Sequence, residues 1–270
     1  MSGLPNAGKS SLLNCLINKK ISIVSSKVQT TNDEISGILN KKNTQLIFTD
    51  TPGLVEKKKF NKKKLSRVLL NQEFKIDLNL FIYDLQRNIN KRSLSLMIDV
   101  SKRFKNNYLI LNKIDLVNKN RFLDISKELN SIIKFEETFM ISAKKKKGID
   151  TLIEKLIFNA PEREWIYENN IDTDKTLNFR LSEVTREKIF HLLNKEIPYS
   201  VKILTKIKKN EKITNVFQDI IVKKDSQKSI LIGKNGEKIK MIGSRARMDI
   251  QKILKQKVFL SLIVKKKIKK

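Results

Sequence analysis

The chain of 270 residues is poor in several residue types, and each shortage excludes a class of protein. Cysteine occurs once, at Cys15, so no disulfide can form within the chain, which suits a reducing compartment. No apolar run is long enough to span a bilayer, and the first residues lack the pattern of a signal peptide. We therefore expect neither a disulfide-rich secreted domain nor an integral membrane protein.

Acidic residues are scarce as well, because 28 Asp and Glu stand against 57 Lys and Arg, which gives a formal net charge of +29. An excess of this sign predicts a polyanionic partner, either a nucleic acid or an anionic membrane surface. Genomic base bias is a second explanation, since Lys, Ile and Asn are all abundant and share A/T-rich codons. The charge therefore supports an RNA partner without establishing one.

The first part of the chain, residues 1–160, alternates short apolar runs with longer amphipathic segments. The runs predict strands at Gln45–Thr49, Leu78–Asp84, Tyr108–Asn112 and Glu137–Ile141, and the segments predict helices at Leu94–Phe104 and Phe122–Ile133. Alternating strands and helices indicate an α/β domain with a mostly parallel sheet. In such sheets ligands bind at the carboxyl ends of the strands.

The second part, residues 177–270, has another order, and the polar segment 161–176 before it is interpreted as a linker. The patterns predict a helix at Leu177–Lys195, strands at Ser200–Lys208 and Ile213–Lys224, a short helix at about Ser226–Ile232, a long helix to about Lys255 and a last strand at Val258–Lys265. The order α-β-β-α-α-β indicates a separate α+β domain.

The first ten residues, MSGLPNAGKS, contain the phosphate-loop pattern G-x-x-x-x-G-K-S. The glycines allow backbone N–H groups to surround phosphate oxygens, Lys9 can reach the β- and γ-phosphates, and the Ser10 hydroxyl can bind Mg²⁺. The helix that follows adds a favourable dipole at its N-terminus. The residues predicted to contact nucleotide here are Gly3, Pro5, Asn6, Ala7, Gly8, Lys9, Ser10 and Ser11.

Three further motifs follow, each at the end of a predicted strand. In FTDTPG, Asp50 fits a Mg²⁺-binding role through water, and the Gly53 N–H can sense the γ-phosphate, with Thr51 and Pro52 between them. In LNKID, Asp115 can accept hydrogen bonds from guanine N1–H and the 2-amino group, which adenine cannot supply together.

Asn112 of that motif is expected to tie loops together, and the Lys113 stem to cover the base. In ISAK, the backbone of Ser142, Ala143 and Lys144 can contact guanine O6. Four motifs in this order predict a GTP-binding domain of the Ras-like type with Mg²⁺ as cofactor. The strand that normally precedes the phosphate loop is apparently missing, so we expect an additional apolar segment upstream of Met1.

Several stretches, among them ISIVSSKVQTTNDEISGI, DTPGL, EREWIYENNIDTD, EIPYSV and LIGKNGEKIKMIGSRARMDIQKIL, resemble the Era family of GTPases over nearly the whole chain. The resemblance implies a GTP-hydrolysing switch that binds small-subunit (16S) ribosomal RNA and assists maturation of that subunit. It also implies a monomer in the cytoplasm, with peripheral association at the inner face of the membrane.

The resemblance carries over to individual residues. Thr30 and Thr31 match the switch I threonines, with Thr31 as the Mg²⁺ ligand, while Leu54 stands where Ras-type enzymes have a catalytic glutamine. Catalysis would then rest on positioning by Lys9, Thr31 and Gly53, and on K⁺ held by Asn6 near the phosphates. The alternative is that Asn6 only shapes the loop. Either reading implies slow intrinsic turnover.

The pattern G-x-x-G within ILIGKNGEKIKMI is typical of a type II KH domain when it occurs in the order α-β-β-α-α-β. The glycines allow a sugar-phosphate backbone to come close, the lysines supply charge and the isoleucines give an apolar floor for bases. The predicted RNA-binding residues are Ile232, Gly233, Lys234, Asn235, Gly236, Lys238 and Ile239.

A second function class stays open on the sequence alone, namely an RNA-binding scaffold whose G domain has decayed. The missing first strand favours it, and so does the lysine-rich tail, which replaces the acidic, aromatic tail of the family. GTP binding separates the two classes, because only the switch needs it.

Overall fold

The computed structural model describes residues 1–24, 35–50, 76–193 and 200–267, and all structural statements here concern those residues. They form two compact units. The first contains residues 1–19 and the described residues from 35 to 174, and the second contains residues 20–24 and the described residues from 175 onward.

The centre of the first unit is a parallel sheet. Its strands are β1 (Ser2–Gly3), β4 (Asn79–Asp84), β5 (Asn107–Asn112) and β6 (Glu137–Ile141), in the spatial order β1-β4-β5-β6. Every residue of β4 and β5 is buried, as expected for strands covered on both faces. The helices of this unit are α1 (Lys9–Ile17), α2 (Lys91–Ser101), α3 (Lys119–Ile132) and α4 (Ile149–Phe158).

A strand of two residues precedes the phosphate loop, although the sequence predicts that the first strand is missing there. Ser2 and Gly3 pair with Phe81 and Ile82 of β4. Within the described residues their ladder does not extend to β3 (Thr44–Asp50), which instead pairs antiparallel with β2 (Ile35–Lys41) in a sheet of its own. The prediction of a strand at Gln45–Thr49 is confirmed, but its expected place in the parallel sheet is corrected.

The segment interpreted as a linker continues the first unit as far as Asp174. The Ile38 N–H donates to the Asp172 carbonyl at 2.8 Å, and the Ser36 N–H donates to the Asp174 carboxylate at 2.8 Å. The Gln45 side chain donates to the carbonyl of Tyr167 at 2.8 Å. Residues 167–174 therefore pack along the β2–β3 hairpin, and the domain limits inferred from sequence stay a prediction.

The second unit has the predicted order of elements. It consists of α5 (Leu177–Leu192), β7 (Lys202–Lys208), β8 (Ile213–Val222), α6 (Asp225–Ile232), α7 (Glu237–Leu254) and β9 (Lys257–Lys266). The sheet order is β7-β8-β9, with β7 antiparallel and β9 parallel to β8. One face of the sheet packs on the helices, where Ile203, Ile220 and Val264 meet Ile189 and Ile242 in the core. The predicted Ras-like and KH folds are thus both present.

The short segment 20–24 joins the second unit through an ion-pair network. The Lys20 ammonium contacts Glu187 on α5 at 2.8 Å and Asp249 on α7 at 3.0 Å. Lys188 completes the network with its own contact to Asp249 at 2.5 Å. The Val24 N–H adds a hydrogen bond of 3.4 Å to the Glu187 carboxylate. The chain that leaves α1 is therefore bound to two helices of the second unit.

Candidate nucleotide and RNA sites

The phosphate loop between β1 and α1 opens with a tight turn. The Ala7 N–H donates to the Leu4 carbonyl at 3.2 Å, so Pro5 and Asn6 are the two central residues of the turn. Asn6 has a φ of 62°. Proline suits the first central position because its φ is fixed, and asparagine tolerates the positive φ of the second. The local sequence therefore specifies the bend that turns the loop toward α1.

Two glycines of the loop occupy places where no side chain fits. A Cβ atom on Gly3 would lie 2.3 Å from the Ile82 carbonyl oxygen, and one on Gly8 would lie 2.2 Å from the Asn112 side-chain nitrogen. Both have positive φ angles, 148° and 98°. The loop thus stays a bare backbone cradle, and α1 begins directly after Gly8 with Lys9, Ser10 and Ser11 in its first turn.

Lys9 lies inside this loop and is almost fully buried. Its ammonium donates to the carbonyls of Gly3 at 3.2 Å and Leu4 at 3.1 Å. Burial lowers the pKa of Lys9, while the nearby Asp50 carboxylate opposes that shift. A desolvated ammonium within a ring of backbone groups is suited to an incoming phosphate anion, which would restore the interactions lost on burial.

The two predicted Mg²⁺ ligands that the structure describes are in contact with each other. The Ser10 hydroxyl donates to the Asp50 carboxylate at 2.6 Å, and Asp50 is fully buried at the end of β3. Hydroxyl and carboxylate oxygens are the ligand types that Mg²⁺ takes in phosphate-binding sites. The Ser10 hydroxyl and the Asp50 carboxylate lie beside the phosphate loop and therefore fit a Mg²⁺ ion.

Asn112, at the end of β5, joins three of the predicted motifs. Its side-chain nitrogen donates to the Ala7 carbonyl at 3.0 Å, and its side-chain oxygen accepts from the N–H of Lys113 at 2.9 Å and of Ala143 at 3.1 Å. The side chain is buried and uses both ends of the amide. The expectation that Asn112 ties the loops together agrees with these contacts.

The base-reading motif lies beside a carboxylate that the motifs do not predict. The Lys113 ammonium contacts Asp84, at the end of β4, at 2.6 Å, so the lysine stem is fixed at the strand ends. Asp115 is half-buried, and a hydrogen bond with the Ser142 side chain lowers the pKa of Asp115. An ionised carboxylate is the form that accepts two guanine N–H groups. The sequence signal for Asp84 is its position at a strand end.

The turn after β6 completes this edge of the sheet. Ser142 and Lys147 exchange two backbone hydrogen bonds of 3.0 and 3.1 Å, which close the turn that contains Ala143 and Lys144. Ser142 and Ala143 are buried, while Lys144 is exposed. Thr30, Thr31, Thr51, Pro52 and Gly53, which the sequence places at the γ-phosphate, lie outside the described residues.

The G-x-x-G loop of the second unit joins α6 to α7. Gly233 and Gly236 have φ angles of 75° and 77°, and Asn235 between them has a φ of 50°. A Cβ atom on Gly233 would lie 2.9 Å from Lys238 Cβ, whereas one on Gly236 would meet no atom within 4 Å. The Gly236 position is therefore open to an approaching backbone.

The side chains around that loop divide into two groups. Ile232 and Ile239 are half-buried and pack on the core of the second unit, while Lys234 and Lys238 are exposed. An apolar floor next to accessible ammonium groups matches the arrangement expected for bases and phosphates.

Comparison with known proteins gives a separate family match for each part of the chain. Residues 1–113 match the family described as 50S ribosome-binding GTPase, and residues 185–270 match the KH domain family. GTPase Era of Ehrlichia ruminantium (strain Gardel) is 36% identical over 269 residues, which cover 97% of this chain and 90% of that protein. The chain belongs to the GTPase Era family. GTPase Era of Staphylococcus haemolyticus is 37% identical over 266 residues, covering 97% of this chain and 89% of that protein.

Two solved Era structures have the same fold. A complex of Era with MgGDPNP and nucleotides 1506–1542 of 16S ribosomal RNA aligns with a TM-score of 0.87 at 32% identity, covering 98% of this chain and 91% of that one. An Aquifex aeolicus Era variant bound to GDP and AlF₄⁻ gives the same TM-score and identity over 98% and 92% of the two chains. The prediction of an Era-family GTPase with a KH domain is therefore confirmed. Among the described helices, none is long and apolar enough to cross a membrane.

Proposed function

We propose that this GTPase acts as a GTP-dependent switch that binds 16S ribosomal RNA through its KH domain and assists maturation of the small ribosomal subunit. The observation that carries the proposal is the Asn112 amide, which joins the phosphate loop to the base-reading and S-A-K motifs in a chain that also has an open G-x-x-G loop. The domain limits 1–160, 161–176 and 177–270 belong to the same proposal.

On nucleotide binding, the Lys9 ammonium exchanges its two loop carbonyls for β- and γ-phosphate oxygens. Asp115 accepts from guanine, and the Asp84 contact fixes Lys113 so that its stem covers the base. Ser10, Thr31 and Asp50 would hold Mg²⁺, which would supply charge neutralisation at the phosphates. Because Leu54 cannot orient water, we infer slow turnover that rests on positioning by Lys9, Thr31 and Gly53.

A monovalent cation is a further part of the proposal. Asn6, whose positive φ places it at the apex of the phosphate-loop turn, would hold K⁺ near the phosphates, where the cation would stand in for an arginine finger. The measurement is the steady-state GTPase rate in KCl and in NaCl at equal ionic strength. A rate that is the same in the two salts leaves Asn6 as a residue that shapes the turn.

The proposed RNA-binding site is the G-x-x-G loop. The sugar-phosphate backbone approaches at Gly236, Lys234 and Lys238 contact phosphates, and Ile232 with Ile239 supports bases. The fragment of nucleotides 1506–1542, which the related Era binds, is the appropriate probe.

Cytoplasmic location, a monomeric state and peripheral contact with the inner face of the membrane complete the proposal, and the net charge of +29 supports contact with anionic lipids.

Two measurements test the switch. Fluorescent GTP should bind in Mg²⁺ and be displaced by unlabelled GTP but not by ATP, and phosphate release should be measurable at a slow rate. If the chain binds the RNA fragment but no GTP, the scaffold with a decayed G domain is the correct reading.

For the RNA site, Gly236→Asp places a negative charge in the open position, and Gly236→Asn is the matched neutral control. Both residues tolerate a positive φ, so the two variants should fold alike. We expect Gly236→Asp to weaken RNA binding more than Gly236→Asn, with GTP affinity unchanged in both. Equal RNA affinity in the two variants would contradict the KH assignment.

Flotation with anionic vesicles tests the proposed membrane contact, and size-exclusion chromatography tests the proposed monomeric state.

A further inference from the structure

The outward face of the β7–β8–β9 sheet carries large apolar side chains that neither site uses. Helices α5, α6 and α7 cover the inward face, where Val216 and Ile220 are fully buried. On the outward face, Phe217 is 43% exposed and Phe259 is 54% exposed. Leaving two phenyl rings in water is unfavourable, which indicates that something contacts this face.

The strand register places the two rings among polar partners. In one row across the sheet Phe217 lies between Lys206 and Ser261, and in the next row Asn215 lies between Lys208 and Phe259. Phe217 and Phe259 are diagonal neighbours on adjacent strands, because Ser261 is two residues from Phe259. Each ring is thus accessible on its own and has an ammonium, amide or hydroxyl group nearby.

The charge of the face has one sign. The outward positions of the three strands carry five lysines, Lys202, Lys206, Lys208, Lys257 and Lys265, and a single acidic residue, Asp219. That carboxylate is held by Lys265 of β9 at 2.7 Å, so its charge is compensated locally. Lys206 and Lys208 are exposed on β7. The face therefore presents net positive charge to a partner, and its complement is an anion.

We propose that this face is a second surface for single-stranded RNA, on the opposite side of the sheet from the helices that carry the G-x-x-G loop. Two successive bases stack on Phe217 and Phe259, and the phosphates contact Lys206 and Lys208. Aromatic rings flanked by lysines on a sheet are the arrangement that single strands use, since every base has a face that can stack. The inference rests on the proposed function in taking RNA as the partner.

The same observations disfavour a lipid or protein occupant. Leu204, Ile213 and Ile263 are also exposed on this face, and Asp219 separates Leu204 from Ile263 within one row. Lysines flank these apolar side chains on both outer strands, so apolar and charged groups are interspersed on the same face. Cores of protein–protein interfaces are depleted in lysine, and standard interfaces bury about 800 Å² from each partner. A membrane-inserting element keeps its lysines on the side away from its apolar side chains, whereas here both lie on one face. The alternation of rings and ammonium groups fits a strand of stacked bases joined by phosphates.

The test uses the full chain with Phe217→Ala and Phe259→Ala combined. The matched control is Phe158→Ala in the first unit, because Phe158 is 83% exposed. The probe is the fluorescently labelled fragment of nucleotides 1506–1542, with a 5-bromouridine oligonucleotide for photocrosslinking. Because all three rings are exposed, the melting temperatures of the variants should stay close to that of the parent chain.

We expect the double variant to bind RNA about tenfold or more weakly, since each base–aromatic stack contributes measurably on its own, and the control to bind as the parent does. Crosslinks to the β8 and β9 peptides should be lost in the double variant. In addition, Lys206→Gln with Lys208→Gln should reduce the slope of log Kd against log salt by about 1 to 1.5, because two phosphate contacts are removed.

Three outcomes overturn the proposal. If RNA affinity falls in Gly236→Asp but stays within about twofold in the double phenylalanine variant, the G-x-x-G assignment is supported and only the proposal of a sheet surface for RNA is refuted. If the parent chain binds no RNA, both proposals fail. If the double variant loses binding to phosphatidylglycerol vesicles, or loses self-association in sedimentation, while RNA binding is unchanged, the occupant is a membrane or a second copy of the chain.

Discussion

The side-chain nitrogen of Asn112 donates to the main-chain oxygen of Ala7 at 3.0 Å, across 105 positions of the chain. This bond joins the end of β5 to the phosphate loop, and the other end of the same amide accepts from Ala143 after β6. The relationship also explains Gly8, because any Cβ atom there would lie 2.2 Å from the Asn112 nitrogen. Phosphate recognition and base recognition are therefore held together by one buried side chain.

Replacing Asn112 with alanine should destabilise the first unit. The Ala7 carbonyl and the Ala143 N–H would lose their partner in a buried place, and each buried group left unsatisfied costs about 1–3 kcal/mol. We expect the free energy of unfolding to fall by roughly 2–4 kcal/mol. Urea unfolding followed by the fluorescence of Trp165, the single tryptophan, measures this. Asn130→Ala on the exposed face of α3 is the control, and an equal effect in both variants would contradict the assigned role.

The Asp115 carboxylate determines which base is accepted. Asp115→Asn replaces an acceptor of two hydrogen bonds by a group that presents an N–H, so the affinity for GTP should fall by about 100-fold or more. Xanthosine triphosphate, which has a carbonyl where guanine has an amino group, should bind better to the variant than to the parent. Competition against a fluorescent nucleotide measures both affinities. The exposed Asp124→Asn should retain the guanine preference, and unchanged specificity in Asp115→Asn would refute the base-reading assignment.

Local patterns were sufficient for the elements that carry the site. Asp50, Asn112 and the turn after Ile141 lie at strand ends where the motifs place them, because short apolar runs predict strands. The G-x-x-G loop could likewise be predicted from the sequence, because glycine is favoured where φ is positive, as it is at Gly233 and Gly236.

Features that depend on contacts between residues far apart in the chain could not be predicted from the sequence. A strand of two residues, Ser2–Gly3, is too short for any periodicity, and its place follows only from pairing with β4. The pairing of β3 with β2 was missed because Gly37 and Asn40 interrupt the apolar pattern of that strand. Lys20 binds Glu187 and Asp249 across 167 and 229 positions, for which the local sequence holds no signal.

The contact between Ser10 and Asp50 predicts a Mg²⁺-dependent defect. Ser10→Ala removes the hydroxyl ligand but leaves the phosphate loop backbone, so nucleotide should still bind in EDTA. In Mg²⁺ the affinity should fall by at least about tenfold, since even partners outside the ligand shell change metal affinity by 10–100-fold. Titration of fluorescent GTP with and without Mg²⁺ gives the ratio of affinities, which should approach one in the variant. Ser131→Ala on α3 should keep the ratio of the parent, and a parental ratio in Ser10→Ala would exclude Ser10 as a ligand.

The Lys20 network predicts a pH-dependent contribution to the stability of the second unit. Burial opposes the charged form of Lys20, but hydrogen bonds with Glu187 and Asp249 outweigh it and raise the pKa of Lys20. Burial likewise opposes the charge on Asp249, but hydrogen bonds with Lys188 and Lys20 lower the pKa of Asp249. The lowered carboxyl pKa stabilises the fold above its unfolded value of about 3.9, and that stability is lost as the pH falls through the folded value. The raised lysine pKa stabilises the fold below its unfolded value of about 10.4 and is lost as the pH rises through the folded one.

Lys20→Met should therefore lower the urea midpoint of the second unit at pH 7. The difference from the parent should shrink as the pH falls below about 3.9, the unfolded value, and through the lowered pKa of folded Asp249, where its attraction to Lys20 is lost. Circular dichroism during urea unfolding at pH 3, 5 and 7 measures it. Lys19→Met is the matched control, because Lys19 pairs with Asp172 at the surface, where both side chains are a third or more exposed and such pairs contribute little. A loss of stability in Lys20→Met that is the same at pH 3 and pH 7 would show that Lys20 acts through packing of its stem and not through its charge.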